Sequence, residues 1–274
     1  MKVGFVGAGK VGCSLGRYFA REHQIIGYAS KTPSSAERAA KLTSSKAFSN
    51  GAKLLNECDA LFITTPDGQI VPTWQEIEAQ CDDEALWGKL ICHCSGALPS
   101  TELAGCSARG AYAYSIHPLF AIPSKTASTE ELSKAFFAIE GNEERLNDAV
   151  SIVAAMGNPY QVIETAQKAR YHAAAALASN HVVALYRLAC DELAKCGFTP
   201  EGAERAMAPL FLGNAMHIAE KGTVAALTGP AERGDMATIE KHLACLDGQT
   251  REVYRILNDT LLKIAEEKHR KEQG

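Results

Sequence analysis

Chemically capable side chains recur along one helix that the sequence predicts in the second half of the chain. Spacings of four, three and four residues separate Lys168, His172, Ala175 and Ser179, and Asn180 lies on the flank of the face they share. A lysine, an imidazole and hydroxyl or amide groups on one stripe could protonate or polarise a carbonyl group. The spacing alone favours the alternative, an alanine-rich packing helix with a solvated lysine and a hydrogen-bonded histidine.

Three further polar segments follow predicted strands: Thr64-Thr65-Pro66-Asp67, Cys92-His93-Cys94-Ser95-Gly96-Ala97 and Ser115-Ile116-His117-Pro118. Ligands of open α/β sheets lie beyond the carboxyl ends of the strands. We therefore expect Thr64, Thr65 and Pro66 to run beside a cofactor. We expect Ser95 and Gly96 to form a hydrogen-bonding platform for a substrate.

His117 and His93, in these segments, can each be interpreted in two ways. His117 directly follows a predicted strand and precedes Pro118, so it could be a catalytic or substrate-binding residue, with a structural histidine as the alternative. The Cys-His-Cys string could bind a metal ion, but Cys92 and Cys94 face one side of a strand and His93 the other. No HExxH motif or second cysteine pair completes such a site, and we predict no metal.

The glycine-rich segment near the N-terminus could hold a dinucleotide. Its residues fit GxGxxG and stand between a predicted strand and a predicted helix: Gly7, Ala8, Gly9, Lys10, Val11 and Gly12. In such a motif Gly7 permits the tight turn, Gly9 lets the backbone approach a pyrophosphate, and Gly12 lets helix and strand pack closely. The helix N-terminus then offers free N–H groups to the phosphates. A glycine-rich turn without a ligand is the alternative.

The residues after the second predicted strand indicate which nucleotide is bound. NAD sites usually carry an acidic residue there, but this chain has none between His23 and Ala36. Ser30, Lys31, Ser34 and Ser35 stand there instead, and these hydroxyls, the lysine and the helix start could hold the 2′-phosphate of NADP. The two later serines could also simply cap the next helix.

The elements that position these residues form an α/β pattern followed by helices. We predict strands at 2–6, 24–29, 47–48, 60–64, 90–93, 112–116, 136–140 and 160–163, separated by helical segments. This alternation predicts a Rossmann fold with a doubly wound, mainly parallel sheet. From residue 166 onward only helical patterning remains. The sequence therefore predicts a Rossmann domain over 1–165 and an all-α substrate and dimerisation domain over 166–274.

Composition excludes several classes of function. The net charge of −4 over 274 residues predicts no nucleic-acid partner. No apolar run long enough to span a membrane and no secretory leader are evident, so we predict no membrane partner. Nine cysteines without a CxxC pair predict a cytoplasmic protein with free thiols. The alanine-rich helical face predicts a homodimer through the helical domain.

Several of these segments together resemble a known family. They are Gly7–Gly12, His93–Ala97, Ser115–Phe120, Lys168–Asn180 and Thr228–Asp235. Along nearly its whole length the chain resembles a family of uncharacterised NADP-oxidoreductase-like proteins, which join a Rossmann domain to a helical domain similar to that of 6-phosphogluconate dehydrogenase. The last segment is similar to part of ketopantoate reductases, and the His-Pro pair to one in prephenate dehydrogenases. Pyrroline-5-carboxylate reductase belongs to the same wider group.

The resemblance implies roles for particular residues. The β-hydroxyacid branch of the superfamily uses a lysine followed one turn later by an asparagine. Lys168 falls on the lysine position, but His172 stands where the asparagine is expected, and Asn180 could supply the missing amide. Arg233 could clamp an anionic group, with a helix-capping loop as the alternative for its segment.

These observations predict an NADP-dependent oxidoreductase. Hydride would pass between the nicotinamide and a small, anionic carbonyl or hydroxy substrate. Lys168 or His172 would be the proton donor, and Ser95, His117 and Asn180 would position the substrate. An imine reductase similar to pyrroline-5-carboxylate reductase and a non-catalytic NADP-binding sensor are the alternatives.

Overall fold

The chain divides into two compact units, residues 1–177 and 178–274. The structure is a computed structural model that describes residues 1–122 and 124–273; Gly274, the end of the predicted second domain, lies outside them. The sequence places the division near residue 165, where helical patterning begins. The structure extends the first unit because the next helix begins with Lys168 and Tyr171, which bond to the sheet.

The first unit is built on one sheet. Its strands are β1 Lys2–Val6, β2 Gln24–Ala29, β3 Lys46–Phe48, β4 Ala60–Ile63, β5 Leu90–His93, β6 Tyr112–Leu119, β7 Phe136–Gly141 and β8 Tyr160–Val162. They lie in the order β3-β2-β1-β4-β5-β6-β7-β8. Pairing is parallel from β3 through β6, antiparallel between β6 and β7, and parallel between β7 and β8. The predicted mainly parallel Rossmann sheet is confirmed.

Helices pack against two apolar cores of this sheet. They are α1 Lys10–Phe19, α2 Pro33–Leu42, α3 Gly51–Glu57, α4 Asp67–Glu78, α5 Asp83–Leu86, α6 Thr129–Leu132, α7 Leu146–Ala154 and α8 Lys168–Ala178, the last of which begins in this unit. Three short 3₁₀ helices cover Ser100–Glu102, Ser107–Arg109 and Thr165–Gln167. Neighbouring residues of one strand, such as Phe5 and Val6, belong to different cores because side chains alternate between the faces.

The strand β6 extends beyond its predicted end. The sequence places His117 after the strand, with Pro118 closing it, whereas the structure includes both residues in β6. Pairing with β5 ends at Ser115, and from Ile116 onward β6 pairs only with β7. Pro118 therefore lies where the strand has a free edge, which tolerates its missing N–H.

The second unit is helical, as predicted. It contains α9 Asn180–Lys195, α10 Pro200–Ala226, α11 Met236–Cys245 and α12 Gly248–Gln273. The helix α10 packs against α9 and α12, and α11 packs against α12. Gly222 interrupts α10 with a φ of +77°, a conformation that favours glycine.

The sequence predicts no segment long and apolar enough to span a membrane, but one helical stretch meets both criteria. Thr165–Lys195 is 31 residues long and, by length and composition alone, apolar enough to cross a membrane. Its mean hydropathy is only 1.2, and the ammonium group of Lys168 near its start bonds to the sheet in the first unit. Only 6% of its most apolar window is buried within the structure, and a single stretch of this kind is weak evidence for a membrane span.

Candidate active site at the carboxyl edge of the sheet

The predicted glycine turn lies between β1 and α1. Gly7 has a φ of +111°, a backbone conformation that residues other than glycine rarely adopt. Its N–H donates to the carbonyl oxygen of Ala29 at 2.8 Å. A methyl group at Gly12 would overlap the carbonyl oxygen of Gly7 and the hydroxyl of Thr64. The hydroxyl of Thr64 donates to that same carbonyl oxygen at 2.9 Å. Strand, turn and helix thus need glycine at positions 7 and 12.

The space above the turn fits a pyrophosphate. A Cβ atom at Gly9 would meet nothing within 4 Å, so a ligand can approach the backbone there. Gly9 is the N-cap of α1, and no described side chain caps this helix end or places an acid in its first turn. The N–H groups of Lys10 and Val11 and the positive end of the helix dipole therefore remain available to an anion.

A second polar cluster follows β2, where NADP differs from NAD. Ser30 and Lys31 directly follow the strand, and α2 begins at Pro33 without a side-chain cap among the described residues. Arg38 donates to the hydroxyls of Ser34 at 3.4 Å and Ser35 at 3.0 Å. This exposed guanidinium adds a second cation to the predicted phosphate cradle.

The segment after β4 connects the glycine turn to the next strand end. Thr64 bonds to Gly7, while the buried hydroxyl of Thr65 has no hydrogen-bond partner among the described residues. Such an orphaned polar group fits a site whose missing partner is a ligand. Asp67, after the exposed Pro66, accepts a 2.8 Å hydrogen bond from the hydroxyl of Ser95.

The predicted platform after β5 is a closed turn. The Ser95 hydroxyl, besides donating to Asp67, accepts from the N–H groups of Ala97 at 3.1 Å and Leu98 at 3.0 Å. Its donor is occupied, so this hydroxyl fixes the turn. Gly96 lies against both imidazole rings and leaves no room for a side chain, because a Cβ there would lie 2.6 Å from Cδ2 of His172 and 2.9 Å from Nε2 of His117.

Lys168 is buried beside this turn. Its side chain is 2% exposed, and Nζ donates to the hydroxyl of Ser115, which in turn donates to the carbonyl oxygen of Ser95 at 3.2 Å. Burial lowers the pKa of Lys168 to about 8, while the negative charges of Glu140 and Asp67 act in the opposite direction. The ammonium group is thus poised near neutral pH.

Glu140 supports the same region from β7. Its buried carboxylate accepts from the N–H of Ser100 at 2.6 Å, from the Ser100 hydroxyl at 2.9 Å and from the hydroxyl of Thr165 at 2.8 Å. These bonds join the loop after β5 to the turn that precedes α8. A buried carboxylate with three donors near Lys168 is an electrostatically compensated arrangement.

His117 contacts α8 through a tyrosine. Its Nδ1 lies 2.7 Å from the hydroxyl of Tyr171, and the two rings are perpendicular. Burial, followed by the charges of Lys168 and His172, lowers the pKa of His117 to about 4. The imidazole is therefore neutral at physiological pH.

The residues of the Cys-His-Cys string, Cys92, His93 and Cys94, are structural in this arrangement. His93 is wholly buried, its Nδ1 accepts from the N–H of Ser95 at 3.2 Å, and burial lowers its pKa to about 4. Burial raises the pKa of Cys94 to about 12 and that of Cys92 well above its usual range, so both thiols stay protonated. No group of three or more potential metal ligands converges within residues 1–122 and 124–273.

The structure brings together most of the predicted site residues. Lys168, His172, His117, Ser95 and Gly96 lie around one turn of the first unit. Asn180 and Arg233 belong to the second unit, where both are exposed, and their roles stay predictions.

Four functional groups of this region were not predicted. Arg38 follows Ser34 and Ser35 by four and three residues, a spacing that could have identified it. Tyr171 likewise follows Lys168 by one turn of helix. The partners of Asp67 and Glu140 are distant in sequence, and no local pattern indicates them.

Two domain models match this chain. Residues 1–118 match the Rossmann-like domain, and residues 135–261 match the domain of unknown function DUF2520. The chain therefore consists of a Rossmann-like domain followed by a DUF2520 domain, which confirms the two-part organisation that the resemblance implies. A comparison with curated protein sequences found no match.

Solved structures share the whole architecture. The protein TM1727 from Thermotoga maritima is 26% identical, with a TM-score of 0.78 over 97% of this chain and 99% of that one. Pyrroline carboxylate reductase from Plasmodium falciparum, solved with NADP bound, is 14% identical, with a TM-score of 0.60 over 97% and 98%. Reductive aminase from Aspergillus terreus, in complex with NADPH and ethyl-5-oxohexanoate, is 14% identical, with a TM-score of 0.65 over 96% and 93%. The last two likenesses show the fold alone, a fold found in NADP-dependent oxidoreductases.

Proposed function

We propose that this protein is an NADP-dependent reductase or dehydrogenase that acts on a small, anionic carbonyl or hydroxy compound. The observation that carries this proposal is one continuous chain of contacts along the carboxyl edge of the sheet. Thr64 bonds to the open glycine turn at Gly7, and three residues later Asp67 bonds to Ser95. Ser95 in turn leads to Ser115 and the buried Lys168. A nucleotide seated on the turn would therefore extend toward the polar cluster.

The residues present fit NADP. The turn at Gly7, Gly9 and Gly12 would hold the pyrophosphate, and the cluster of Ser30, Lys31, Ser34, Ser35 and Arg38 would hold the 2′-phosphate. The absence of an acid in this cluster favours NADP, because a carboxylate would repel the phosphate. The nicotinamide, when bound, supplies or accepts the hydride. The protein's share of the work is to orient the substrate and to move a proton.

Lys168 and His172 are the two proton donors that the sequence predicts, and they differ in accessibility. Lys168 is buried and donates a hydrogen bond to Ser115, whereas His172 is exposed and its ring lies beside Gly96. Lys168 would also give the site a positive charge that favours an anionic substrate below about pH 8.

An imine is the second candidate substrate. Two of the solved structures with this fold are described as a pyrroline carboxylate reductase and a reductive aminase. Reduction of C=N and C=O needs the same hydride and one proton, so a cluster of neutral imidazole and ammonium groups suits both.

The decisive experiment follows the absorbance of NADPH, which is consumed when keto acids or cyclic imines are reduced and is formed from NADP⁺ when hydroxy acids are oxidised. The proposal expects turnover of at least one class, with NADPH preferred over NADH. Tight NADPH binding without turnover of any class would instead indicate a non-catalytic sensor. Lys168→Ala and His172→Ala, measured separately, then test the donors: activity that survives both substitutions removes each from that role.

We also propose that the partner of the helical unit is a second copy of this chain. Few side chains of this unit are buried, among them Cys190, Ala203 and Ile239, a small core for a stable unit. Large apolar side chains are instead exposed, with Val183 at 71% and Leu210 at 60%. Light scattering should give a dimer mass, and Leu210→Glu should shift it toward the monomer; a monomeric wild type would contradict the proposal.

The protein is further proposed to work in the cytoplasm. All nine cysteines are free thiols, which fits a reducing compartment. Detection of the protein only in an oxidising compartment would contradict this assignment.

A further inference from the structure

Tyr171 is placed to act on the reaction through His117. Its hydroxyl lies 2.7 Å from Nδ1 of His117, the ring centroids are 5.6 Å apart and the rings are inclined at 84°. Nζ of Lys168 lies 5.7 Å from the centroid of the Tyr171 ring. The phenol therefore stands between a neutral imidazole and a buried cation.

The direction of this hydrogen bond follows from the state of each group. Burial raises the pKa of Tyr171 to about 12, so the phenol keeps its proton, and the pKa of His117 is lowered to about 4. A phenol is a strong O–H donor, and Nδ1 of a neutral imidazole accepts when the ring proton is on Nε2. Nε2 of His117 then carries an N–H group beside Gly96, where a Cβ atom would lie only 2.9 Å from it.

Lys168 is poorly placed to deliver a proton itself. Its side chain is 2% exposed, and its ammonium group donates to Ser115, behind the turn. His117 is instead only half buried, and its Nε2 lies beside Gly96, as does Cδ2 of the exposed His172.

We propose that His117 donates the proton to the substrate and that Tyr171 restores it, so that the two residues form a proton relay. The inference rests on the proposed function, since reduced nicotinamide must deliver hydride to the C=O or C=N carbon. As that bond forms, the N–H bond at Nε2 breaks and an O–H or N–H bond forms on the substrate. The phenolic O–H bond breaks and an N–H bond forms at Nδ1. The imidazole stays neutral and changes tautomer, and the phenolate lies near the ammonium group of Lys168. To restore the starting state, the Nδ1 proton returns to the phenolate and solvent supplies one proton to Nε2.

A pair of matched substitutions tests the relay in the full-length enzyme. Tyr171→Phe removes only the hydroxyl, and Tyr186→Phe is its control, because the Tyr186 hydroxyl donates at 2.7 Å to the backbone carbonyl oxygen of Glu204 in the helical unit. We expect Tyr171→Phe to lower kcat by about 100-fold, within the range of general acid catalysis, with unchanged NADPH affinity. The solvent isotope effect on kcat should also change. Tyr186→Phe should leave both quantities at the wild-type values; an unchanged kcat in Tyr171→Phe would overturn the relay.

A second measurement does not depend on turnover. Nitrogen-15 NMR of histidine-labelled protein, with the His117 signals assigned through His117→Gln, reports which ring nitrogen carries the proton. We expect the proton on Nε2 at pH 7 in the wild type. A proton on Nδ1, or a charged ring, would overturn the relay whatever the activity. The expected ring state in a protein that turns over no substrate would instead refute the proposed function.

Discussion

Acid should destabilise the sheet unit through His93. This histidine is 0% exposed at the end of β5, and burial, with a smaller effect of Lys168, lowers its pKa to about 4. An unfolded chain holds its histidines near 6.5, so the unfolded state binds more protons between these values. The contribution of His93 to stability is therefore complete above about pH 6.5 and is lost as the pH falls toward 4.

The magnitude follows from the two pKa values. Their difference corresponds to about 3 kcal/mol in total, of which about 2 kcal/mol is lost between pH 7 and pH 5. His117 titrates in the same window and adds to the loss in the wild type. The substitution His93→Gln isolates one of the two contributions, because glutamine cannot titrate.

Urea unfolding at pH 7 and pH 5, followed by the fluorescence of the buried Trp74, measures the effect. Between pH 7 and pH 5 the free energy of unfolding should fall in both proteins. We expect the loss in His93→Gln to be smaller than the loss in the wild type by about 2 kcal/mol. His269→Gln is the control, because His269 is exposed. Equal losses in the wild type and His93→Gln would refute the argument from burial.

Two further substitutions test the supports of the site. Gly12→Ala should weaken NADPH binding at least tenfold, because its methyl group would overlap the carbonyl oxygen of Gly7 and force the turn apart; an NADPH titration at the wild-type Kd would contradict this. Glu140→Ala should lower the free energy of unfolding by about 3 kcal/mol, since three buried donors lose their acceptor. Glu57→Ala, which breaks an exposed ion pair, should cost less than about 1 kcal/mol in the same urea assay. Equal costs would show that the buried carboxylate has no special role.

Local chemistry explains what the sequence could predict. The turn from Gly7 to Gly12 and the strands around it are encoded within a few residues, because φ preferences, side-chain alternation and helix N-termini act locally. The stripe of Lys168 and His172 was visible for the same reason. The alternative for this stripe included a solvated lysine. That part is wrong, since Lys168 is buried.

Tertiary contacts explain what it could not. The extension of β6 past Pro118 depends on β5 ending first, which no property of Pro118 reveals. The bond between His117 and Tyr171 joins residues 54 positions apart. The division of the chain after residue 177 depends on contacts of the first turns of α8 with the sheet, which the helical pattern alone does not record.

The central claim is that the glycine turn and the cluster after β2 bind NADPH through its 2′-phosphate. Calorimetric titration of the wild type, Ser30→Asp and Arg38→Ala with NADPH and NADH tests it most directly. The wild type should bind NADPH more tightly than NADH, Arg38→Ala should lose affinity for NADPH alone, and Ser30→Asp should reverse the preference. Binding of neither nucleotide by the wild type, with no heat and no change in Tm, would contradict the account, and unchanged NADPH affinity in Ser30→Asp would contradict the assignment of the 2′-phosphate site.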